Sequence, residues 1–141
     1  MGKIYTALGL MSGTSMDGVD ASFIRSDNGK NYIQPDINQY FEYDRDLYQK
    51  LTNLRDKIAN LKDLTKYSEE IKLIEKEITL FHAKIVNIMI KNNPKWKLDI
   101  IGFHGQTIYH NPTKGISLQL GDASLLSKLL RLTVISDFRN N

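Results

Sequence analysis

The feature that most constrains this chain is a long apolar seam between residues 67 and 90. Large apolar side chains recur at alternating spacings of four and three residues: Tyr67, Ile71, Ile74, Ile78, Phe81, Ile85 and Ile88. This spacing predicts one amphipathic helix that starts at Thr65 or Tyr67 and ends at Ile90. Leu73 and Leu80 widen the stripe, which favours packing against a sheet, although a sustained seven-residue repeat also permits a coiled coil.

Strands are predicted before this helix. Residues 3–11 are predicted to form a first strand, and the alternation of apolar and polar side chains over residues 19–24 predicts a second. A turn at 27–30, with Asn-Gly at its centre, is predicted to lead into a third strand over 32–43, interrupted near Pro35. The beginning of the chain is therefore predicted to be an antiparallel meander of three strands.

Shorter helices and further strands complete the prediction. A helix over 45–62 is predicted to begin after a capping Asp44, and Asn93-Pro94 is predicted to end the long helix. The almost continuous apolar run from Leu98 to Phe103 is typical of a strand buried on both faces of a parallel sheet. Because helices lie between strands, we expect a mixed sheet with right-handed crossovers.

The last part of the chain is predicted to add a loop, a helix and a strand. The segment after Phe103 is predicted to be a loop, followed by a short strand over 117–120. A helix is predicted over 122–131 and a last strand over 132–138.

Composition excludes several classes of protein. A hydrophobic content of 41% and a charged content of 25% are typical of a globular domain. The absence of cysteine excludes disulfides, a thiol nucleophile and a cysteine-ligated zinc site. No apolar stretch approaches the ~20 residues of a membrane span, and the N-terminus lacks a secretory signal pattern. We therefore expect a cytoplasmic protein with no membrane partner.

The charge distribution argues against nucleic acid as a partner. The formal net charge is +3, and the basic excess lies on the predicted helices between residues 45 and 97, mixed with acidic residues. Mixed signs are typical of a solvated helical face. Clustered arginines and aromatic platforms, which a nucleic-acid surface would need, are not evident.

Candidate chemistry begins in the run from Gly9 to Asp20, between the first two predicted strands. Its backbone N–H groups and hydroxyls can be aimed at a phosphate, and Asp17 and Asp20 can hold Mg²⁺, directly or through water. The same residue types are ordinary in tight turns. The run also lacks the lysine of a P-loop and leads into a strand instead of a helix. Phosphate binding and a purely structural turn both remain open.

A second candidate group follows the buried strand, where α/β sheets place ligand-binding loops. His104 can hydrogen-bond a substrate hydroxyl or carry a proton, and Gln106 and Thr107 offer groups suited to a sugar or an amide. The alternative is a buried histidine satisfied by backbone groups, with His110 capping a turn. His82, on the long helix, is interpreted as an exposed or half-buried residue without a role.

The third candidate group lies near the end of the chain. Asp122 is predicted to cap the following helix. Asp137 and Arg139 flank a strand end, where they can orient a ligand or pair with each other. A free carboxylate in such a place can act as a general base.

Four segments of the chain carry a family resemblance when they are taken together. They are Gly-Leu-Met-Ser-Gly-Thr-Ser-Met-Asp-Gly-Val-Asp at 9–20, Gly-Phe-His-Gly-Gln-Thr-Ile-Tyr-His-Asn-Pro at 102–112, Leu-Gln-Leu-Gly-Asp at 118–122 and Ser-Asp-Phe-Arg at 136–139. In this order they resemble the anhydro-N-acetylmuramic acid kinases of bacteria, over essentially the whole chain. The resemblance implies an α/β fold, with residues 1–141 as the N-terminal lobe of an actin-like sugar kinase of the hexokinase, Hsp70 and actin superfamily.

The resemblance also implies an activity. It implies ATP and Mg²⁺ as cofactors and 1,6-anhydro-N-acetylmuramic acid as the small-molecule sugar substrate. Such kinases hydrolyse and phosphorylate this sugar to N-acetylmuramic acid 6-phosphate, in the recycling of peptidoglycan.

Site residues are carried over position by position. The resemblance implies ATP-binding residues in the first turn, with Asp17 as the metal ligand: Gly13, Thr14, Ser15, Met16, Asp17, Gly18, Val19 and Asp20. It implies substrate contacts from a second set: His104, Gln106, Thr107, Asp137 and Arg139. Family members continue Asp-Phe-Arg-x-x-Asp, so the aspartate that serves as catalytic base would follow Asn141. We therefore expect a lobe truncated at its C-terminus, with little or no activity alone.

Two other functional classes remain open at this stage. One is a non-catalytic module that binds nucleotide or sugar, which calorimetry with ATP and the anhydro sugar would separate from a kinase. The other is a self-associating protein that uses the seam from Tyr67 to Ile88, which concentration-dependent sedimentation would detect. The expected protein partner is a second copy of the chain or a chain that supplies the missing lobe.

Overall fold

The secondary structure is described by a computed structural model, which covers residues 3–27, 32–33, 35 and 37–139. In chain order its elements are β1 (Tyr5–Met11), β2 (Gly18–Ser26), β3 (Tyr32–Ile33), β4 (Asn38–Glu42), α1 (Arg45–Lys57), α2 (Leu61–Lys66), α3 (Ser68–Asn92), β5 (Ile100–Phe103), β6 (Gln106–Asn111), β7 (Ile116–Leu120), α4 (Ala123–Leu130) and β8 (Thr133–Ile135). A 3₁₀ turn at Pro112–Lys114 separates β6 from β7. None of the helices in these described ranges is long and apolar enough to cross a membrane.

The described strands form one mixed sheet and one separate hairpin. The sheet has the order β3-β2-β1-β5-β8, and β4 also lies beside β2. The pairs β1–β2, β2–β3 and β2–β4 are antiparallel, whereas β1–β5 and β5–β8 are parallel. The predicted mixed α/β sheet with an antiparallel meander is therefore confirmed. The third strand is divided into β3 and β4, and residues 28–30 of the predicted turn lie outside the described residues.

The long helix α3 forms where the apolar seam predicted it, but its buried stripe is displaced around the helix axis. Ile74, Ile78 and Ile85 are buried as expected. Leu73 and Leu80, however, are 68% and 45% exposed, so the prediction that they widen the buried stripe is wrong. The buried stripe extends instead to three residues on the other flank, which packs towards Phe103 of the sheet: His82, Val86 and Met89.

Capping explains why the predicted helix over 45–62 is two helices. The Asp44 carboxylate accepts a hydrogen bond from the Leu47 N–H at 2.8 Å and starts α1 as expected. After α1 ends at Lys57, Asn60 and Asp63 form a reciprocal capping box that starts α2. The helix break therefore has a local cause in the residues that follow α1.

A β-hairpin occupies the segment that was predicted to be a loop. β6 pairs antiparallel with β7, and the register shifts between Thr107 and Tyr109. This bulge interrupts the alternation that would otherwise have marked residues 106–111 as a strand. The neighbouring β7 (Ile116–Leu120) agrees with the strand predicted over 117–120. The last strand, β8 (Thr133–Ile135), is shorter than the strand predicted over 132–138.

The parallel strand β5 is buried on one face only in the described structure. Ile101 and Phe103 are buried in the core, together with Leu8 of β1 and Phe23 of β2. Ile100, on the alternate face, is half-buried. The prediction that β5 is buried on both faces is therefore wrong for the residues described, because the helices lie on the side of Phe103.

Candidate functional site

Two loops leave the C-terminal ends of neighbouring parallel strands. The first loop is residues 12–17, after β1. We use the term second loop for residues 104–107, which are the turn after β5 and the first two residues of β6. The two strands are in register at Leu10 and Phe103, and the His104 N–H donates to the Leu10 carbonyl at 3.3 Å. Open α/β sheets place ligands at this end of their parallel strands, so the fold brings the two predicted motifs to one edge.

The first loop presents its polar groups to solvent. The Met16 N–H donates to the Gly13 carbonyl at 3.2 Å, which closes a tight turn. Met16 has φ 61° and a buried side chain, whereas Thr14 and Ser15 are exposed. Within the described part of the chain, the N–H groups of Thr14 and Ser15 donate to no protein acceptor. The turn therefore offers two hydroxyls and free backbone donors to an anion.

The base of the first loop is fixed by close packing. The Tyr43 N–H donates to the Asp17 carbonyl at 2.8 Å. A Cβ atom on Gly18 would lie 2.2 Å from the Phe41 carbonyl oxygen, so no other residue fits without displacing β4. The Val19 side chain is fully buried in the core. Met16, Gly18 and Val19 therefore hold the loop, whereas Asp17 points its carboxylate into solvent-accessible space.

The surroundings of Asp17 contain charges of both signs, because Asp17, Glu42 and Arg45 line one cavity. The pKa of the Tyr40 phenol is raised by desolvation and then by the negative charges of Asp17, Glu42 and Asp20. These carboxylates can attract a cation, and Arg45 opposes it. No group of three or more histidine or acidic side chains among the described residues is arranged to hold a metal by itself. A cation here would need ligands from water and phosphate, which is the usual way in which Mg²⁺ is bound.

A buried hydrogen-bond network joins the two loops. The Tyr43 hydroxyl donates to Gln106 Oε1 at 3.1 Å and lies 3.1 Å from the Ser12 hydroxyl. Gln106 Nε2 donates to the Gly13 carbonyl at 2.9 Å. Burial raises the pKa of Tyr43 to about 12, so the phenol stays protonated and can donate. We call Ser12, Tyr43 and Gln106, with the Gly13 carbonyl, the Tyr43 network.

The second loop uses most of its polar groups internally. Gln106 is fully buried and also donates to the Thr107 carbonyl at 3.1 Å. The Thr107 hydroxyl accepts from Gln119 Nε2 at 3.2 Å. Gly105 has φ 78°, and a Cβ atom there would lie 2.5 Å from the Leu120 carbonyl oxygen, so the loop needs glycine to pack on β7.

His104 is the side chain of the second loop that faces a cavity. Its Nδ1 donates to the Gly105 carbonyl at 2.9 Å, which requires the proton on Nδ1. Its Nε2 then accepts from Arg139 Nε at 3.0 Å. The cavity has a volume of about 150 Å³ and is lined mainly by three segments: Phe103–Gly105, Ser117–Gln119 and Ser136–Arg139.

The structure brings some of the predicted substrate residues together and separates others. His104, Asp137 and Arg139 line one cavity, whereas Gln106 and Thr107 are buried behind it. Asp137 and Arg139 form no ion pair in the described structure, and Arg139 contacts His104 instead. His110 is exposed on β6 and caps nothing.

The sequence interpretation missed the residues that connect these parts. No pattern marks Tyr43, which was predicted only as the end of a strand. Ser117 and Gln119 line the cavity. Ser117 was expected only as the start of a short strand, and Gln119 was placed in the third candidate group, next to Asp122, without a ligand assigned to it. The sequence did contain a signal for them. Two polar side chains that are two residues apart lie on the same face of β7, next to the Gly-Asp turn, and could have been predicted to line a polar site.

His82 is buried against Phe103, the residue that precedes the second loop. Its interpretation as an exposed or half-buried residue is therefore wrong. It is fully buried and packs edge-on against Phe103, with ring centroids 4.8 Å apart. Its Nδ1 donates to the Ile78 carbonyl at 2.7 Å, and its Nε2 has no partner in the described structure. Burial lowers the pKa of His82 to about 4, so the ring is neutral near pH 7.

The fold and this edge define an α/β domain with a candidate ligand site built from two strand-end loops. A family model described as anhydro-N-acetylmuramic acid kinase matches residues 5–141. The chain therefore belongs to the anhydro-N-acetylmuramic acid kinase family.

Curated relatives with that name agree with this membership. The kinase of Pelagibacter ubique (strain HTCC1062) is 57% identical over 141 residues, which cover 100% of this chain and 37% of the relative. The kinase of Rhizobium johnstonii is 38% identical, with 100% of this chain and 38% of the relative covered. That of Gluconobacter oxydans is 40% identical, with 95% and 36% covered. The chain thus spans little more than a third of the length of these relatives.

Proposed function

We propose that this chain forms one wall of the active-site cleft of an ATP-dependent kinase for 1,6-anhydro-N-acetylmuramic acid. The product would be N-acetylmuramic acid 6-phosphate, in the recycling of peptidoglycan. The observation that carries the proposal is the hydrogen bond from Gln106 Nε2 to the Gly13 carbonyl. It joins the two family motifs, 93 residues apart, into one site. Family membership supports the identity of the substrates.

The fold is consistent with this role. We propose that the domain is the N-terminal lobe of an actin-like sugar kinase. An antiparallel meander beside two parallel strands, with crossover helices, is the arrangement that the family resemblance led us to expect. Both motifs then face the side on which a second lobe would close the cleft.

The first loop is proposed to bind the ATP phosphates. The exposed residues Thr14 and Ser15 would donate hydroxyls and backbone N–H groups to phosphate oxygens. Asp17 would be a ligand of Mg²⁺, completed by water and phosphate. When bound, Mg²⁺ neutralises charge on the phosphates and favours phosphoryl transfer. Met16, Gly18 and Val19 keep the turn in shape, and Asp20 adds negative charge beside the metal position.

The cavity of the second loop is proposed to bind the sugar. Arg139 suits the carboxylate of the muramic acid side chain, because guanidinium groups bind carboxylates in a directed way. The Asp137 carboxylate can accept hydrogen bonds from sugar hydroxyls. His104 Nε2 can do so once Arg139 Nε, which donates to it here, turns to the carboxylate of the substrate. Gln106 and Thr107 would act as positioning residues, because their polar groups are already bonded to the protein.

The reaction needs groups on both sides of the sugar. Water opens the 1,6-anhydro bond, the freed 6-oxygen takes the terminal phosphoryl group of ATP, and ADP leaves. A carboxylate must accept the proton of the attacking water. We assign no catalytic base to the described residues. The contribution proposed for this chain is the placement of phosphate and sugar against each other.

Amide chemical-shift mapping of the purified chain tests the binding assignments. Mg²⁺–ATP should shift the amide signals of residues 13–18, and the anhydro sugar should shift those of residues 104–107 and 136–139. Asp17→Asn should weaken the response to Mg²⁺–ATP, whereas Asp56→Asn, an exposed carboxylate on α1, should leave it unchanged. Arg139→Ala should weaken the response to the sugar, with Lys128→Ala as the control.

Two results would contradict the proposal. One is saturable binding of both ligands with shifts confined to other parts of the chain, which would place the sites elsewhere. The other is turnover by the 141-residue chain alone, with ATP, Mg²⁺ and the anhydro sugar, at the rate of the Pelagibacter ubique kinase. That rate would show a complete active site and not one wall of a cleft.

A further inference from the structure

One of the four family segments, residues 118–122, takes no part in the binding proposed above. It forms most of β7 and the turn that leads into α4. Gly121 in this turn lines the cavity beside His104, as Gln119 of β7 does. The Asp122 carboxylate caps α4 and points away from any ligand role. The backbone of the turn is therefore a wall of the cavity, and the contacts that hold the turn also set the shape of the cavity.

Two side chains of the long helix α3 hold this turn by its backbone. Glu75 Oε2 accepts a hydrogen bond from the Gly121 N–H at 3.1 Å, and the Thr79 hydroxyl accepts one from the Asp122 N–H at 3.0 Å. The Thr79 hydroxyl also donates to the Glu75 carbonyl, one helical turn earlier, at 2.8 Å. Its proton is therefore used within the helix, and its lone pairs remain for the turn.

The turn is also packed closely against the start of the second loop. A Cβ atom on Gly121 would lie 2.5 Å from the ring of Phe103 and 3.4 Å from Gly105 Cα. These two residues flank His104, the side chain of the second loop that faces the cavity. Because such an interior is close-packed, a displacement of the turn is transmitted to its neighbours. A shift of Gly121 would therefore also move the backbone on both sides of His104.

A third residue of α3 completes the support of this junction. His82 packs edge-on against the ring of Phe103, with ring centroids 4.8 Å apart. Glu75, Thr79 and His82 follow one another at spacings of four and three residues, so they lie on one face of the helix. This face of α3 therefore contacts the junction of the turn and the second loop at three successive helical turns.

We propose that Glu75 and Thr79 are positioning residues for sugar binding. Neither side chain lines the cavity, so both act through the backbone of Gly121 and Asp122. They hold this wall of the cavity at a fixed distance from His104. The inference rests on the assignment of the cavity to the sugar under the proposed function, and it adds two residues of α3 that no family segment contains.

The proposed phosphate site is held by other contacts. The Tyr43 N–H donates to the Asp17 carbonyl, and Gly18 packs against the Phe41 carbonyl oxygen. Loss of the α3 contacts is therefore expected to weaken the binding of the sugar and to leave the binding of Mg²⁺–ATP unchanged. A general loss of stability would weaken both, so the two ligands together separate a positioning role from a merely structural one.

Calorimetric titration of the 141-residue chain with 1,6-anhydro-N-acetylmuramic acid, and separately with Mg²⁺–ATP, tests the inference. Glu75→Ala should raise the Kd for the sugar about fivefold, and Thr79→Val should raise it about tenfold, because each leaves a backbone N–H of the turn without its acceptor. Glu75→Gln keeps a carbonyl acceptor and Thr79→Ser keeps the hydroxyl, so both should restore the Kd to within about twofold of the unchanged chain. The Kd for Mg²⁺–ATP should be unchanged in all four variants.

Two matched variants serve as controls. Glu69→Ala removes an exposed carboxylate from the same helix. Thr52→Val removes a hydroxyl that bonds to carbonyls of its own helix, α1, as Thr79 does in α3, but that lies far from the cavity in the sequence. Both should leave the two Kd values unchanged. Urea denaturation of each variant would establish that it is folded under the conditions of the titration.

Two results would overturn the inference and leave the proposed function in place. One is a Kd for the sugar that is unchanged in Glu75→Ala and Thr79→Val, and the other is an equal weakening of both ligands. If the unchanged chain binds Mg²⁺–ATP but not the sugar, the assignment of the cavity is wrong and the inference is wrong with it. If Thr79→Val does not fold, the comparison of Glu75→Ala with Glu75→Gln decides alone.

Discussion

The two loops at the candidate site are built in opposite ways. The first loop, residues 12–17, exposes Thr14, Ser15 and Asp17 and is held by two buried side chains, Ser12 and Met16. The second loop, residues 104–107, buries Gln106 and Thr107 and leaves His104 as the side chain that faces a cavity. The Tyr43 network is the point at which they meet.

This difference shows that a motif contains residues with two kinds of role. In the first loop Thr14, Ser15 and Asp17 are exposed and available to a ligand, whereas the buried Ser12 and Met16 hold the turn. In the second loop most polar residues hold the turn, because a buried polar group must be hydrogen-bonded. Residue type alone therefore does not separate a binding residue from a positioning residue.

The largest effect is expected from Gln106→Leu, which would uncouple the two loops. The change leaves the Gly13 carbonyl and the Tyr43 hydroxyl without their buried partner. We expect a loss of about 3 kcal/mol in the free energy of unfolding, measured by urea denaturation. Gln119→Leu is the control, since its partners are hydroxyls at the cavity, and it should cost less than about 1 kcal/mol. Equal losses in the free energy of unfolding for the two variants would contradict the claim that Gln106 joins the two loops.

Acid should destabilise the packing of His82 against Phe103, beside the second loop. The first loop contains no histidine that would be protonated in the same range. In the unfolded chain His82 binds a proton near pH 6.5, whereas burial lowers its pKa to about 4 in the folded chain. Between these values the unfolded state binds more protons, so stability falls as the pH falls from about 6.5 to 4. The loss attributable to His82 reaches about 3 kcal/mol.

Urea denaturation as a function of pH checks this expectation. His82→Leu should remove that part of the acid sensitivity, whereas His110→Leu, at an exposed position, should retain it. An unchanged pH dependence in His82→Leu would mean that His82 does not control the acid response.

A smaller effect, confined to the first loop, is expected from Gly18→Ala. The new Cβ atom would collide with the Phe41 carbonyl, so β4 must move and the fixed base of the loop is lost. We expect a cost of about 2 kcal/mol in the free energy of unfolding. Gly9→Ala, whose Cβ atom would meet nothing closer than 3.9 Å, should be nearly neutral. If Gly18→Ala left the free energy of unfolding unchanged, the claim that close packing at Gly18 fixes the base of this loop would be wrong.

The sequence predicted those parts of the fold that have local causes. The seam of α3, the alternation of β2 and the caps Asp44 and Asp122 each depend on neighbours in the chain. The break after α1 was missed, although the capping residues Asn60 and Asp63 were there to be read. The hairpin of β6 and β7 was missed because a bulge interrupts its alternation.

The candidate site was predictable in outline only. The sequence placed His104, Asp137 and Arg139 near strand ends, and the structure gathers them around one cavity. The sequence could not predict the hydrogen bonds of Tyr43 or the burial of Gln106, because both depend on contacts between distant parts of the chain. His82 was misjudged for the same reason, since its burial is set by Phe103 of the sheet.

The most direct test of the central claim is a double-mutant cycle between Tyr43 and Gln106. Free energies of unfolding would be measured for Tyr43→Phe, Gln106→Leu and the double variant. If the Tyr43 network links the two loops, removing the second partner costs little once the first is gone. We therefore predict a coupling energy of about 1–2 kcal/mol. Additive losses, with a coupling energy below about 0.5 kcal/mol, would contradict the claim that the loops form one unit.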